Sequence, residues 1–383
     1  MTHQDQVTDV AFSPDGHYLV TGSRDRTACV WEATCHRDAM CLTHESYVQS
    51  VTFSTDGKFL AAAGGSIGPT DNTPRYNTAR MWEVANWKEV EWMVHAGNAR
   101  AVTFSRDNRY VAVASQDGSA WVLEISTGNE VASFEYEGGL SSIAFDPTGQ
   151  YLAIAGRDAT AHVRRVSNWQ EVATFPHPEE VTSVCFSQDG QRLSTASHDG
   201  IARIWEIATR RSMAQFQHPT HLTRSDRGPD DVYNRLQSVV LSPDGKHLIT
   251  ASVDGTARMW DVGGRGELLR LNHEDPVNAV VFDFTGEFIA TASSDNTARV
   301  WKVSTGLEVV RIRHQSFVYD VAFSPDGRYL ATAGWDKTVR ISLLRPDDLI
   351  KEACDRLTRN LTREEWFQYL GSEPYCKTCQ NLD

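Results

Sequence analysis

Histidine, serine and aspartate recur along this 383-residue chain at spacings that invite a hydrolase reading. A serine nucleophile needs a histidine base, and the histidine needs a carboxylate to orient it. His3, Ser23 and Asp25 supply those three types, with Trp31 six residues beyond the aspartate. The same set returns as His177, Ser197, Asp199, Trp205; as His218, Ser252, Asp254, Trp260; and as His273, Ser293, Asp295, Trp301. A catalytic site is a single open constellation, so several copies of one set point to scaffolding and not to an enzyme. Cys376 and Cys379 have the spacing of half a zinc site, but structural zinc needs four ligands and Cys354 is the only third candidate. No Gly-rich phosphate loop followed by lysine occurs, and Gly263-Gly264-Arg265-Gly266 reads as a turn. Neither metal nor cofactor is expected.

The elements that carry these residues are written eight times. A strand-turn-strand unit begins its turn at Phe12, Phe53, Phe104, Phe145, Phe186, Leu241, Phe282 and Phe323, so the steps are 41, 51, 41, 41, 55, 41 and 41 residues. A fixed period of this size marks a repeat architecture whose units cannot bury their apolar faces alone. A histidine opens the unit at 3, 44, 95, 177, 218, 273 and 314, with Tyr136 in the remaining slot. Within the first unit Val7 to Ser13 alternates, Pro14-Asp15-Gly16 supplies a tight turn, and Tyr18 to Ser23 alternates again. A third strand ends at the tryptophan and a fourth precedes the next histidine.

In this register the chain resembles the WD-repeat β-propeller family over residues 1–345. The family's closing Trp-Asp pair stands as Trp260-Asp261, and as Trp-Glu at Trp31, Trp82 and Trp205 or Trp-Lys at Trp301. The resemblance implies an all-β, eight-bladed propeller in which the histidine, serine, aspartate and tryptophan form a hydrogen-bonded chain inside each blade. It also implies a non-enzymatic platform for protein partners. Residues 346–383 read as a short helical tail, with a helix start at Pro346-Asp347-Asp348 and a capping box at Thr362 and Glu365. The tail resembles the ending of large bacterial WD-repeat proteins. That likeness supports a second reading, a sensor or autoinhibitory domain of a bacterial signalling-NTPase or protease effector system.

The formal charge of −13 argues against loose nucleic-acid binding, no apolar run is long enough to span a membrane, and Met1 to Gln6 has no signal-peptide character. The seven scattered cysteines, Cys29, Cys41 and Cys185 among them, read as reduced thiols of a cytoplasmic protein, expected to be a monomer.

Two units carry insertions, ten residues between Gly64 and Thr78 and fourteen between His218 and Leu236. In an up-and-down sheet both project from the face that holds the histidine and aspartate turns, and long loops on a rigid scaffold are where binding concentrates. The partner-binding candidates on that face are Arg24, Gln116, Arg157, His198 and Trp335 before the turn aspartates. Near the innermost strands stand Tyr47, Arg100, Arg235, Phe317 and Tyr319, and the first insertion adds Arg75 and Tyr76. Tyr, Trp and Arg are the residues that anchor protein interfaces. Outer strands can be placed only for seven units, because Met1-Thr2 are too few for an ordinary strand. The eighth blade is therefore predicted to have three strands, its edge shielded by the tail from Leu349 to Leu370 or left open because the chain is the C-terminal part of a longer protein.

Overall fold

The structure, a computed structural model, describes residues 1–33, 38–44, 47–65, 78–95, 98–218, 234–264, 266–344 and 362. Residues 66–77 of the first insertion, Arg75 and Tyr76 among them, residues 219–233 of the second, and the tail apart from Thr362 fall outside these residues.

Among the described residues eight antiparallel sheets follow one another along the chain, seven of four strands and the last of three. Blade 1 runs Val7–Phe12, Tyr18–Ser23, Thr27–Glu32 and Asp38–Thr43, from the axis outward. Blade 7 runs Val277–Phe282, Phe288–Ser293, Thr297–Lys302 and Glu308–Arg313, and blade 8 stops after Val318–Phe323, Tyr329–Gly334 and Val339–Leu343. The innermost strands neighbour one another in sequence order, and that of blade 8 meets that of blade 1, so the ring closes.

Burial explains the composition of each strand. Second strands such as Phe288–Ser293 are buried on both faces because neighbouring blades cover each side, and they read as runs of Ala, Ile and Leu. Outer strands such as Glu308–Arg313 bury mainly Ile312 and expose their charged residues. Each seam then holds its own apolar cluster, for example Ile249, Met259, Leu271, Val277, Ile289 and Trp301 between blades 6 and 7. A fully buried aliphatic side chain contributes about 1.5–3 kcal/mol.

The turn between second and third strands needs one residue with positive φ. Gly118, Gly200 and Gly255 provide it in blades 3, 5 and 6, whereas blade 4 places Ala159 there at φ 59°. A Cβ in that region is strained.

One expectation needs correction. Cys29 and Cys41 are not reduced thiols: they lie directly opposite in the third and outer strands of blade 1 and are joined in a disulfide, Cα to Cα 4.0 Å. Strand register, which cysteine spacing does not reveal, brings the two sulfurs together. Blade 8 has the three strands expected, and the N-terminus adds a short bridge along its outer edge. Thr2 bridges Thr338, Met1 O accepts the Val339 N–H at 3.1 Å, and the His3 N–H donates to Lys337 O at 2.7 Å. Met1 and Thr2 occupy the last two places of the outer position of blade 8, as Ile312 and Arg313 do in blade 7.

Candidate functional site

The repeated polar set is assembled around a residue the sequence reading passed over. In blade 1 the Trp31 Nε1–H donates to Thr21 Oγ1 at 2.8 Å, and His3 Nε2 lies 2.8 Å from the same hydroxyl. His3 Nδ1 is 2.9 Å from Asp25 Oδ2. The nitrogen beside a carboxylate is the donor, so Nε2 must accept from the threonine. Thr250 and Thr291 stand between tryptophan and histidine in blades 6 and 7 in the same way, with His218 on Asp254 at 3.1 Å and His273 on Asp295 at 2.8 Å. Burial pushes His218 and His273 below the ordinary histidine value, although the paired aspartates partly oppose it. Burial also works against the Asp295 carboxylate, but its bonds to His273 and Thr297 and the charge on Arg299 hold it well below the usual range.

Serine is not a link in that chain. Ser293 Oγ accepts the Asp295 N–H at 3.1 Å and donates to Asp275 O at 3.0 Å, and Ser23 does likewise with Asp25 and Asp5 O. In blade 6, Ser252 Oγ accepts the Asp254 N–H at 3.2 Å. The serines fasten the turn to the loop beside it. Blade 5 departs further. Thr195 joins Trp205 and His177, and Ser197 keeps its turn, but Arg203 draws off Asp199 at 2.6 Å and His177 Nδ1 donates to Phe175 O at 2.9 Å. Burial and the Arg203 charge push His177 down to about 4. In blade 4 the register position of Arg203 is His162, 2.8 Å from both Asp158 and Glu171. Burial lowers its pKa, but the two carboxylates more than offset this and the net shift is upward. None of these sets leaves an open nucleophile, and they hold blades together.

Candidates on the face of the histidine and aspartate turns gather in two places. At the seam between blades 8 and 1, Tyr319 stacks on Trp335 with centroids 5.4 Å apart, Phe317 meets it edge-on at 5.4 Å, and Arg24 lies 5.7 Å over the indole. Backbone geometry sets this up. The Trp335 N–H donates to Phe317 O at 2.8 Å, and the pairing of the innermost strand slips between Val318 and Asp320, so Tyr319 sits in a bulge. A bulge re-aims its side chain. In blades 1, 5 and 7 the bulged residue is small and polar and clasps the next blade: Thr8 Oγ1 donates to Val48 O at 2.6 Å, Thr182 Oγ1 to Leu236 O at 2.9 Å, and Asn278 Nδ2 to Val318 O at 2.8 Å. Tyr319 and the exposed Arg100 of blade 3 are too large for that bond. Phe317 is 41% exposed, and Arg24 Nε and Gln6 Oε1 are buried with no hydrogen-bond partner among the described residues.

The second group centres on a residue not singled out from sequence. Glu180 accepts from Ser141 Oγ at 2.7 Å and lies 3.7 Å from both Arg157 and His198. Burial lowers the His198 pKa, Glu180 opposes this, and Arg235 and Arg157 lower it further. Gln116 is held by Asn98 across a side-chain hydrogen bond. Tyr47 is half-buried, its carbonyl accepting the Gly65 N–H at 3.0 Å.

Inside the ring at the same seam two carboxyls face each other. The Val10 N–H donates to Asp320 Oδ2 at 3.2 Å and the Val51 N–H to Asp9 Oδ2 at 2.6 Å. Desolvation raises both pKa values. For Asp9 the hydrogen bonds partly oppose this, whereas for Asp320 the Asp9 charge adds to it. Among the described residues no group of three or more His, Cys, Asp or Glu is arranged to hold a metal.

The sequence pattern described as WD domain, G-beta repeat matches eight times, at residues 1–32, 38–75, 90–122, 128–164, 169–206, 227–261, 266–302 and 307–341. The chain belongs to the WD40 family. Among solved structures it is similar to the computationally designed Ika8 protein, at 20% identity and a TM-score of 0.74, over 89% of this chain and 97% of that one. At this identity the likeness concerns the fold alone. No curated protein matches the sequence. WD40 propellers are commonly protein-interaction scaffolds without catalytic activity of their own, and this propeller has that architecture.

Proposed function

We propose that this WD40 protein is a monomeric, non-enzymatic platform that binds a protein or peptide partner on its loop-bearing face, with Trp335 as the central anchor. The carrying observation is the cluster of Trp335, Tyr319, Phe317 and Arg24 at the blade 8–blade 1 seam. Aromatic rings mounted on a rigid ring lose little entropy on binding, and Trp, Tyr and Arg dominate interface energies. Arg100, Arg157 and Arg235 put cationic side chains on the same face of a chain whose net charge is −13. A partner offering carboxylates and an apolar side chain suits this surface.

The test is affinity capture with mass spectrometry, repeated with Trp335→Ala and Arg24→Glu. Both variants should lose the partner while keeping the parent's circular-dichroism spectrum. Charge removal at Lys58, Arg109 and Lys246, which form exposed pairs with Asp56, Glu124 and Asp244, should leave capture intact. Equal losses from both sets of variants would refute the choice of face.

A further inference from the structure

The third strand of blade 8, Val339–Leu343, pairs with Tyr329–Gly334 on its inner side. Antiparallel hydrogen bonding alternates, and the Val339 N–H points outward to Met1 O, so Ile341 and Leu343 point outward too. Beyond Met1 no described residue pairs with them. A groove of about 540 Å³ lies there, walled by Val310, Ile312 and Arg313 of the blade 7 outer strand and by Arg340, Ile341 and Ser342.

The other blades show what fills this place. In blade 6 the outer strand brings Glu267 to 3.1 Å from Arg258, and in blade 7 Glu308 lies 3.6 Å from Arg299. Those arginine side chains are 5% and 9% exposed. Arg340 is their counterpart 41 residues after Arg299, yet its side chain is 41% exposed and its ion-pair partner, Asp336, lies 3.9 Å away. Among the described residues the edge therefore has outward backbone groups, an apolar floor and an arginine without the glutamate that Arg258 and Arg299 have. Extended peptides join such edges through main-chain bonds, with alternate side chains giving specificity.

We propose that the outer edge of blade 8 accepts an extended acidic-apolar segment of a partner protein by strand addition. Its glutamate or aspartate sits opposite Ser342 and reaches Arg340, and an apolar residue two positions on lies opposite Ile341, as Glu308 and Val310 do against Trp301 and Val300. Charge selects this occupant over a second copy of the chain, whose own Arg340 and Arg313 would meet like charges across the edge. The site is separate from the Trp335 cluster and does not depend on it.

The test is fluorescence anisotropy of the full chain with a labelled synthetic peptide, Thr-Gly-Leu-Glu-Val-Val, the sequence of residues 305–310. Saturable binding is expected. A Glu→Lys peptide and the Arg340→Glu protein should each weaken it roughly tenfold, and combining the two should recover most of the loss, since the ion pair is restored with reversed sign. Absence of saturable binding up to about 1 mM, an affinity too weak for a built site, would overturn the proposal. So would a Lys peptide that binds as well as the parent, or an Arg340→Glu protein with unchanged affinity. Sedimentation of the wild type as a dimer that the peptide dissolves would assign the edge to a second copy and overturn the choice of partner.

Discussion

Thr291→Val in blade 7 isolates the element on which the polar chain depends. The side chain is fully buried and valine has nearly its shape, so the change removes one hydroxyl with little change in packing. That hydroxyl receives the Trp301 Nε1–H at 3.0 Å and meets His273 Nε2 at 2.7 Å. Two bonds worth about 0.5–1.5 kcal/mol each disappear, and each orphaned buried group pulls the cost toward the upper end, giving roughly 2–4 kcal/mol. Trp301→Phe removes only the donor and part of the ring, at about 1–2 kcal/mol. In the double variant the valine no longer faces an unsatisfied indole N–H, so the two costs should fall short of additivity by about 1 kcal/mol. Urea unfolding followed by far-ultraviolet circular dichroism measures all three. A cost under about 0.5 kcal/mol for Thr291→Val, or strict additivity in the double variant, would refute the assignment of threonine as the linking residue.

Three further outcomes are expected. Ala159→Gly should stabilise the protein by about 0.5–1 kcal/mol in thermal melts, because φ 59° suits glycine and blades 3, 5 and 6 use it there. His162 has a raised folded pKa, so its contribution is complete below the ordinary value of 6.5 and is lost as pH rises through the folded value. His162→Arg, the residue type at this place in blades 5 to 7, should remove that loss and flatten the melting temperature above pH 6.5; an unchanged slope would contradict the linkage. Asp320 and Asp9 have raised folded pKa values, so their contribution is present below the ordinary carboxylate value of 3.8 and declines as pH rises through the folded values. Asp320→Asn keeps an acceptor for the Val10 N–H without the charge and should melt higher than the parent at pH 8, with no advantage near pH 3.5.

The fold was legible because its period is carried by residues that recur for physical reasons: the turn aspartate, the histidine and the buried tryptophan. The linking threonine was not, since the same register position holds Ala62, Val113 and Ile154 in blades 2 to 4 and reads as an ordinary strand residue. The disulfide was hidden because Cys29 and Cys41 become neighbours only through strand register. For the candidate surface, repeat register placed Phe317, Tyr319 and Trp335 on one face, and their mutual contact follows from it. Arg24 lies in another blade, and its position over Trp335 depends on how tightly the ring closes. Glu180, the carboxylate between Arg157 and His198, stood unnoticed because one glutamate among 50 acidic residues has no sequence signature.

The seam between blades 8 and 1 is built differently from its neighbours. Where Thr8, Thr182 and Asn278 clasp the next blade with a neutral side chain, Tyr319 turns its ring to Trp335 instead. The clasp that remains is the Val10 N–H on Asp320, a carboxyl pressed against Asp9. Outside, among the described residues, Met1 to Gln4 bridge Lys337 to Val339 at the start of the third strand of blade 8. At this junction a carboxyl pair takes part in holding the ring, so ionisation acts on it directly. A partner seated on Trp335 and Arg24 touches both blades at once and favours the closed ring over any opened form. By mass action it stabilises the closed state in proportion to the logarithm of its free concentration over Kd. The gain in melting temperature on binding should consequently rise with the logarithm of the partner concentration.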